Sequence, residues 1–353
     1  MMAIRELDSA AIRTARVLCI FFMMSVHLFP GPSNASFVTG GDGAIVGAIW
    51  LTFLGRASVA TLSLISGFLL IGAVEKYPPT KIIQGRLRVL IVPMIAWNLV
   101  MLLAIVGASL VGLSIDRGVP QLTPLAMINA LTGAFGPSIN LSLFFLRDLF
   151  VSSALLIIIW RYIKDYLGWA LAIVLILTVF ELTAPVIFRP TILLFMLAGC
   201  VLRAKGIPLI TLANGQWMFL GILLSAGIFA MCQFTGAADG PGAAVQNISK
   251  RIMLVFATIA VAVAMARSAR LQLFFDRLEP VVFLAYLSHV LIAKVIWIVM
   301  SGVGVTLMGP SYLVYFFATP MLVFLIAFPM RVVLDALPSP VPTIFKGKSP
   351  RPA

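Results

Sequence analysis

The chain has 353 residues, of which 61% are hydrophobic and only 10% charged, with a mean hydropathy of +1.11 and a formal net charge of +13. A soluble domain carries about a quarter charged residues, so this composition excludes a soluble globular protein. It also excludes a β-barrel, because the apolar runs are continuous where barrel strands would alternate. Nor does the positive charge mark a nucleic-acid binder: the basic residues sit in short loops between apolar runs, where membrane orientation places them. The fold class that remains is all-α, a polytopic transmembrane helical bundle.

The first apolar run, residues 13–30, carries Arg13 and Arg16 at its head and His27 near its tail. His27 is one of only two histidines in the chain. Eleven residues of helix make about three turns plus roughly 20° and rise about 16 Å, so Arg16 and His27 share one helix face about half a bilayer apart. An ionisable group inside a span is costly and signals function by default. The alternative for His27 is a hydrogen bond to a neighbouring helix that serves packing alone. The run is read as an uncleaved first span rather than a signal peptide, because further spans follow and a discarded peptide would waste the polar stripe.

Ten spans are predicted, at about 13–30, 44–73, 87–113, 141–162, 167–184, 187–203, 208–234, 252–268, 280–301 and 311–333. Pro185, Arg189 and Pro190 interrupt the region of the fifth and sixth. Counting basic residues in the connections puts 18 on one side and four (Arg117, Arg189, Lys250, Arg251) on the other. Lysine and arginine accumulate on the cytoplasmic side, so both termini are expected there. Residues 1–337 are read as the transmembrane domain and 338–353 as a disordered basic cytoplasmic tail near acidic lipid. Between the third and fourth spans, the apolar segment from Leu125 to Phe135 reads as an interfacial helix. Cys19, Cys200 and Cys232 fall in apolar runs without metal spacing and read as packing residues; no metal site is expected.

Several polar residues in or beside the spans are candidates for chemistry. Arg56 opens the second span near its outer end, where it could bind an anion, pair with Asp42 or snorkel. Ser58, Ser63, Ser66 and Gly67 further along form a small-residue stripe suited to close helix packing. Arg86 and Arg88 enter the third span in a basic cluster, where guanidinium groups suit phosphate oxygens and orientation charge is the alternative. Pro93 kinks that span beside the cluster. Arg147 and Asp148 open the fourth span; being adjacent, they are expected to point apart and to need separate partners. Glu181 and Lys294 are candidates for internal pairs. His289, after Tyr286-Leu287-Ser288, either lines the same cavity as His27 or serves a structural hydrogen bond.

These residues resemble the acyltransferase-3 family of integral membrane O-acyltransferases. The likeness rests on Arg16, ten residues, then His27; on Ser66-Gly67-Phe68; on Arg86-Leu87-Arg88 with Pro93; on Phe144-Phe145-Leu146-Arg147-Asp148; and on Tyr286-Leu287-Ser288-His289. The motifs occur in order and at matching spans, and the family's ten-span architecture agrees with the count. Two features depart from the family pattern. The usual Leu-Asp-x-Leu-Arg-Gly lead is absent, with Leu7-Asp8 lying earlier, and the second span has Ala60-Thr61-Leu62-Ser63 where many members end in Phe-Phe. The lead Thr14-Ala15-Arg16-Val17-Leu18-Cys19-Ile20 resembles a branch acting on bacterial exopolysaccharides.

The resemblance implies a multi-pass enzyme of the bacterial inner membrane. Its donor would be cytoplasmic acyl-CoA (acetyl-CoA or succinyl-CoA), with no bound cofactor. Its acceptor would be an extracytoplasmic carbohydrate, exopolysaccharide or lipid-linked precursor, with membrane lipids as the other partners. In this reading His27 and Arg16 are the catalytic residues, His27 as base or nucleophile. Arg13, Arg86 and Arg88 hold acyl-CoA, and Arg56, Ser66, Arg147 and His289 are candidate acceptor or oxyanion contacts. The alternative is a proton-coupled transporter of sugars or organic acids; such carriers tend to show inverted repeats, and none is visible.

Overall fold

The computed structural model describes residues 4–28, 55–112, 120–121, 123–236, 239–305 and 311–347. Asp42, Arg117, Lys348, Arg351, the start of the predicted second span and the end of the first lie outside these residues. The described residues form helices and no strand: α1 (Ile4–Val26), α2 (Gly55–Val74), α3 (Pro79–Arg86), α4 (Val92–Leu110), α5 (Pro124–Thr132), α6 (Phe144–Ile163), α7 (Leu167–Val179), α8 (Pro190–Ala204), α9 (Gly215–Phe234), α10 (Gly240–Ala266), α11 (Ala269–Gly302), α12 (Ser311–Ala336) and α13 (Val341–Lys346).

By length and composition, eight helices among the described residues can cross a membrane. They fall at the predicted first to fourth and seventh to tenth spans. The fifth and sixth are the shorter apolar helices α7 and α8. At 1.5 Å per residue each is about 20 Å long, short of a hydrocarbon core of about 30 Å. The predicted fifth span overran: α7 stops at Val179, and the chain turns through a cis Ala184–Pro185 bond before Pro190 starts α8. Glu181 is therefore exposed in a turn at φ 53°, not an internal ion-pair partner.

The chain divides into two compact units. The first comprises Met1–Ile20, Phe53–Ile83 and Val151–Glu279. Its centre is the contact of α2 with α8. Gly67 lies so close to Met196 that a Cβ there would sit 1.8 Å from the Met196 carbonyl oxygen. A Cβ on Gly199 would sit 2.0 Å from the Leu64 carbonyl oxygen. The Cys200 thiol reaches the Gly67 carbonyl at 3.4 Å. The predicted close packing at Gly67 is thus present, and Cys19, Cys200 and Cys232 are all buried. Leu64 meets Gly199, Gly67 meets Cys200 and Gly72 meets Arg203, so numbering rises together along both helices and they run parallel. Ala60, Leu64 and Phe68 of α2 share an apolar core with Val255, Ile259 and Val263 of α10 and with Ala11 and Ala15 of α1.

The second unit comprises Phe21–Thr52, Gln84–Phe150 and Pro280–Ala353. Between α3 and α4 the backbone makes a π-helical turn, Leu87–Ile91. Pro93 has no N–H to return to the Val89 carbonyl, which frees that oxygen. The backbone of Gly347 lies against it: a Cβ there would sit 2.7 Å from Val89 O, and φ is +68°. That contact belongs to a docked tail. Val341–Lys346 is a helix where the sequence predicts disorder; Trp97 Nε1 donates to the Phe345 carbonyl at 3.1 Å, and Lys346 pairs with Asp335. Apolar contact and a paired charge hold this basic segment in place. The predicted interfacial segment is α5, capped by the Thr123 side chain at one end and by left-handed Gly133 at the other.

Candidate active site

In the first unit Arg13 and Arg16 face α11. Arg13 Nε donates to Asp276 Oδ1 at 2.7 Å, and Arg16 Nη1 donates to Glu279 Oε1 at 3.0 Å. Both pairs are 263 residues apart in sequence, which makes α1 and α11 parallel over this stretch. Asp276 and Glu279 were missed by sequence reasoning, yet a signal existed. Arg-x-x-Arg on the first span and Asp-x-x-Glu before the ninth have the same helical spacing. Near this end, Arg5, Asp8, Ser9, Phe68, Gly72 and Arg203 line a cleft of about 350 Å³.

In the second unit the two histidines meet. His27 follows directly on α1, and its ring centroid lies 5.5 Å from that of His289 on α11. His289 is fully buried. Its Nδ1 sits 2.5 Å from the Tyr286 carbonyl oxygen. A carbonyl only accepts, so Nδ1 carries the proton and Nε2 keeps its lone pair. Nε2 is buried with no hydrogen-bond partner among the described residues. Of the two sequence readings of His289, the shared site with His27 is the one this geometry favours.

A polar chain that the sequence did not signal supports this pair. The Tyr286 ring stacks on His289 at 5.7 Å, and its hydroxyl donates to the Ser142 carbonyl at 2.7 Å. The Ser142 N–H and hydroxyl both donate to Asn140 Oδ1; Asn140 N–H donates to Asn98 Oδ1, and Asn98 Nδ2 donates to the Leu131 carbonyl. Asn98, buried in the apolar run of α4, was the available hint, since a buried amide needs such partners. The chain fixes the start of α6 against Tyr286 and so orients the imidazole behind it.

Arg147 corrects its expectation. It pairs with its own neighbour, Nη1 to Asp148 Oδ1 at 2.6 Å, and also reaches the Ala134 carbonyl at 3.3 Å. The long arginine side chain folds back onto Asp148, which is fully buried and therefore needs a paired charge. Arg86 and Arg88 flank Leu87 at the π-helical turn of the second unit, with Arg88 exposed. Arg56 and Ser66 belong to α2 in the first unit, Arg56 exposed at its start and Ser66 half-buried.

In this helical membrane protein the half-buried His27 lies against the fully buried His289, whose Nε2 has no partner among the described residues. The sequence matches the model of the acyltransferase-3 family, an acyltransferase domain, over residues 9–334. The chain belongs to that family and is a multi-pass membrane acyltransferase. It matches no curated protein and no solved structure.

Proposed function

We propose that this enzyme moves an acetyl or succinyl group from cytoplasmic acyl-CoA to a hydroxyl of an extracytoplasmic carbohydrate, an exopolysaccharide or its lipid-linked precursor, at a bacterial inner membrane. The observation that carries the reading is the pairing of His27 with His289, whose Nε2 is left as a bare acceptor. His27 acts as general base: its imidazole takes the proton of the sugar hydroxyl as the oxygen attacks the thioester carbonyl. The tetrahedral intermediate collapses, the C–S bond breaks, and the imidazolium returns the proton to the departing thiolate. His289, its Nδ1 proton held by the Tyr286 carbonyl, presents the bare Nε2 beside His27 as an acceptor for the hydroxyl of a bound acceptor. An acyl-histidine on His27 is the covalent variant of the same site.

Arg86 and Arg88 are the donor's phosphate contacts in this reading, with Arg13 and Arg16 beside the path along α1. Because Asp276 and Glu279 already hold Arg13 and Arg16, these two offer less free charge than their sequence suggests. Arg56, Ser66 and His289 stay candidate acceptor or oxyanion contacts, while Arg147 pairs with Asp148.

The test is incubation of the purified protein in detergent with labelled acetyl-CoA and succinyl-CoA, separately, with and without a lipid-linked oligosaccharide. Free coenzyme A should appear with one donor, and label should reach the saccharide. No thioester turnover with either donor by well-folded protein would overturn the donor assignment; turnover without transfer to any glycan would overturn the acceptor.

A further inference from the structure

The first unit gathers four cations, of which only Arg56 entered the site reading above, as a candidate acceptor contact. Arg56 opens α2, Arg189 immediately precedes α8, and Lys250 and Arg251 lie in α10. The packing explains their convergence. α2 and α8 run parallel, so their starts lie together. On α2 the core row Ala60, Leu64, Phe68 steps by four residues, and on α10 the row Val255, Ile259, Val263 does the same. One turn before each row stand Arg56 and Arg251. Arg56 is in electrostatic range of Arg189, Lys250 and Arg251, and Arg251 is in range of Arg189.

Arg251 is the telling member. It is only 5% exposed, its Nε donates to Asn247 Oδ1 at 3.1 Å, and its Nη1 is buried with no partner among the described residues. A buried guanidinium nitrogen without an acceptor is costly, and like charges around it add repulsion. Among the described residues no carboxylate pairs with Arg56, Lys250 or Arg251. An anion seated between these side chains would satisfy Nη1 and relieve the repulsion together. A single carboxylate would leave most of the charge of Arg56, Lys250 and Arg251 uncompensated; a phosphate or diphosphate matches it better, and guanidinium forks fit its oxygens.

We propose that Arg56, Arg189, Lys250 and Arg251 form a binding site for the phosphate or diphosphate of a membrane-anchored ligand. Three of these residues, Arg189, Lys250 and Arg251, are on the side of the membrane that holds few basic residues, the extracytoplasmic side in the proposed orientation. Resting on the proposed function, the ligand is then the diphosphate of a lipid-linked saccharide acceptor. A phospholipid headgroup presents the same chemistry.

The test uses the full chain in nanodiscs of phosphatidylcholine, without acyl donor, so that its failure leaves the acyltransferase reading standing. Inorganic pyrophosphate should raise the thermal midpoint, with salt-sensitive affinity. Arg251→Gln should weaken this binding roughly ten- to hundredfold, as loss of a charge-assisted contact does. The double variant Arg56→Gln/Lys250→Gln removes more accessible charges, should have a similar effect and keeps the test decisive if Arg251→Gln fails to fold. A short-chain polyprenyl diphosphate binding more tightly than phosphatidylglycerol identifies the lipid-linked acceptor as the source; equal binding identifies the phospholipid headgroup. No response to pyrophosphate, a response unchanged in both variants, or binding of glucuronate in its place overturns the proposal.

Discussion

His27 and His289 divide the labour in a way their neighbours dictate. The Tyr286 carbonyl fixes the tautomer of His289, while no described residue donates to or accepts from its Nε2. His27→Gln keeps much of the side chain's shape and hydrogen bonding but has no basic nitrogen. It should lower acyl transfer by about 10²–10⁴-fold, the usual worth of general-base assistance. His289→Gln should be milder, because an amide N–H can still bond the Tyr286 carbonyl. Single-turnover kinetics on protein of normal yield check both, and near-normal transfer by His27→Gln would refute the mechanism. At the donor end, Arg86→Ala or Arg88→Ala should raise KM for acyl-CoA, at a cost of about 1.5–3 kcal/mol, with lysine rescuing only in part. Arg16 offers a sharper comparison because its partner is known. Arg16→Gln should raise KM, whereas Glu279→Gln frees the guanidinium and should leave KM unchanged or lower it. Equal losses in the two variants would show a pair that acts only in packing.

At the scale of elements, two parallel contacts organise the chain. α2 and α8 approach through Gly67 and Gly199, where the obstacle to a side chain is backbone oxygen rather than a movable side chain. Gly67→Ala should therefore push the helices apart and destabilise by at least about 1–3 kcal/mol, the usual cost of overpacking. Gly85→Ala in α3 is the control, since nothing lies within 4 Å of a Cβ there. It should be neutral or slightly stabilising, helix propensity favouring alanine. Thermal midpoints in detergent compare the two. Equal midpoints would show that the α2–α8 contact is looser than its geometry. The second contact, α1 with α11, is set by matched spacing: arginines three apart on one helix, carboxylates three apart on the other.

For the whole molecule, the orientation proposed from the 18-to-4 charge division is most exposed to test at the short helices α7 and α8. Reporter fusions after Lys81, Lys164, Lys205 and Arg277 should report cytoplasm, and one at Gly242 the opposite side. A fusion at Val186, in the turn between α7 and α8, should also report the outside. A cytoplasmic signal at Val186 would remove this span pair and part Arg189 from the cation cluster; two or more misplaced loops elsewhere would overturn the orientation.

Much of this protein was legible in its sequence, because membrane insertion is read locally. Apolar runs must satisfy their backbone as helices, and loop charge orients them, so class and span positions follow from composition and order. The single histidine of the first run and its arginine stood out because charge inside a span is rare. Partnership was not legible in the same way. That Arg147 turns back on Asp148, that Asp276 and Glu279 take up Arg13 and Arg16, and that Asn98, Asn140 and Ser142 support Tyr286 all depend on which helices lie side by side and in what register. Only the tertiary structure brought His289 to His27 and gathered Arg56, Arg189, Lys250 and Arg251 around one buried guanidinium nitrogen that has no partner among the described residues. The physical reason is that residues on different helices become neighbours through packing of their apolar rows and glycines, and hydropathy along one chain records where helices lie but not which faces meet.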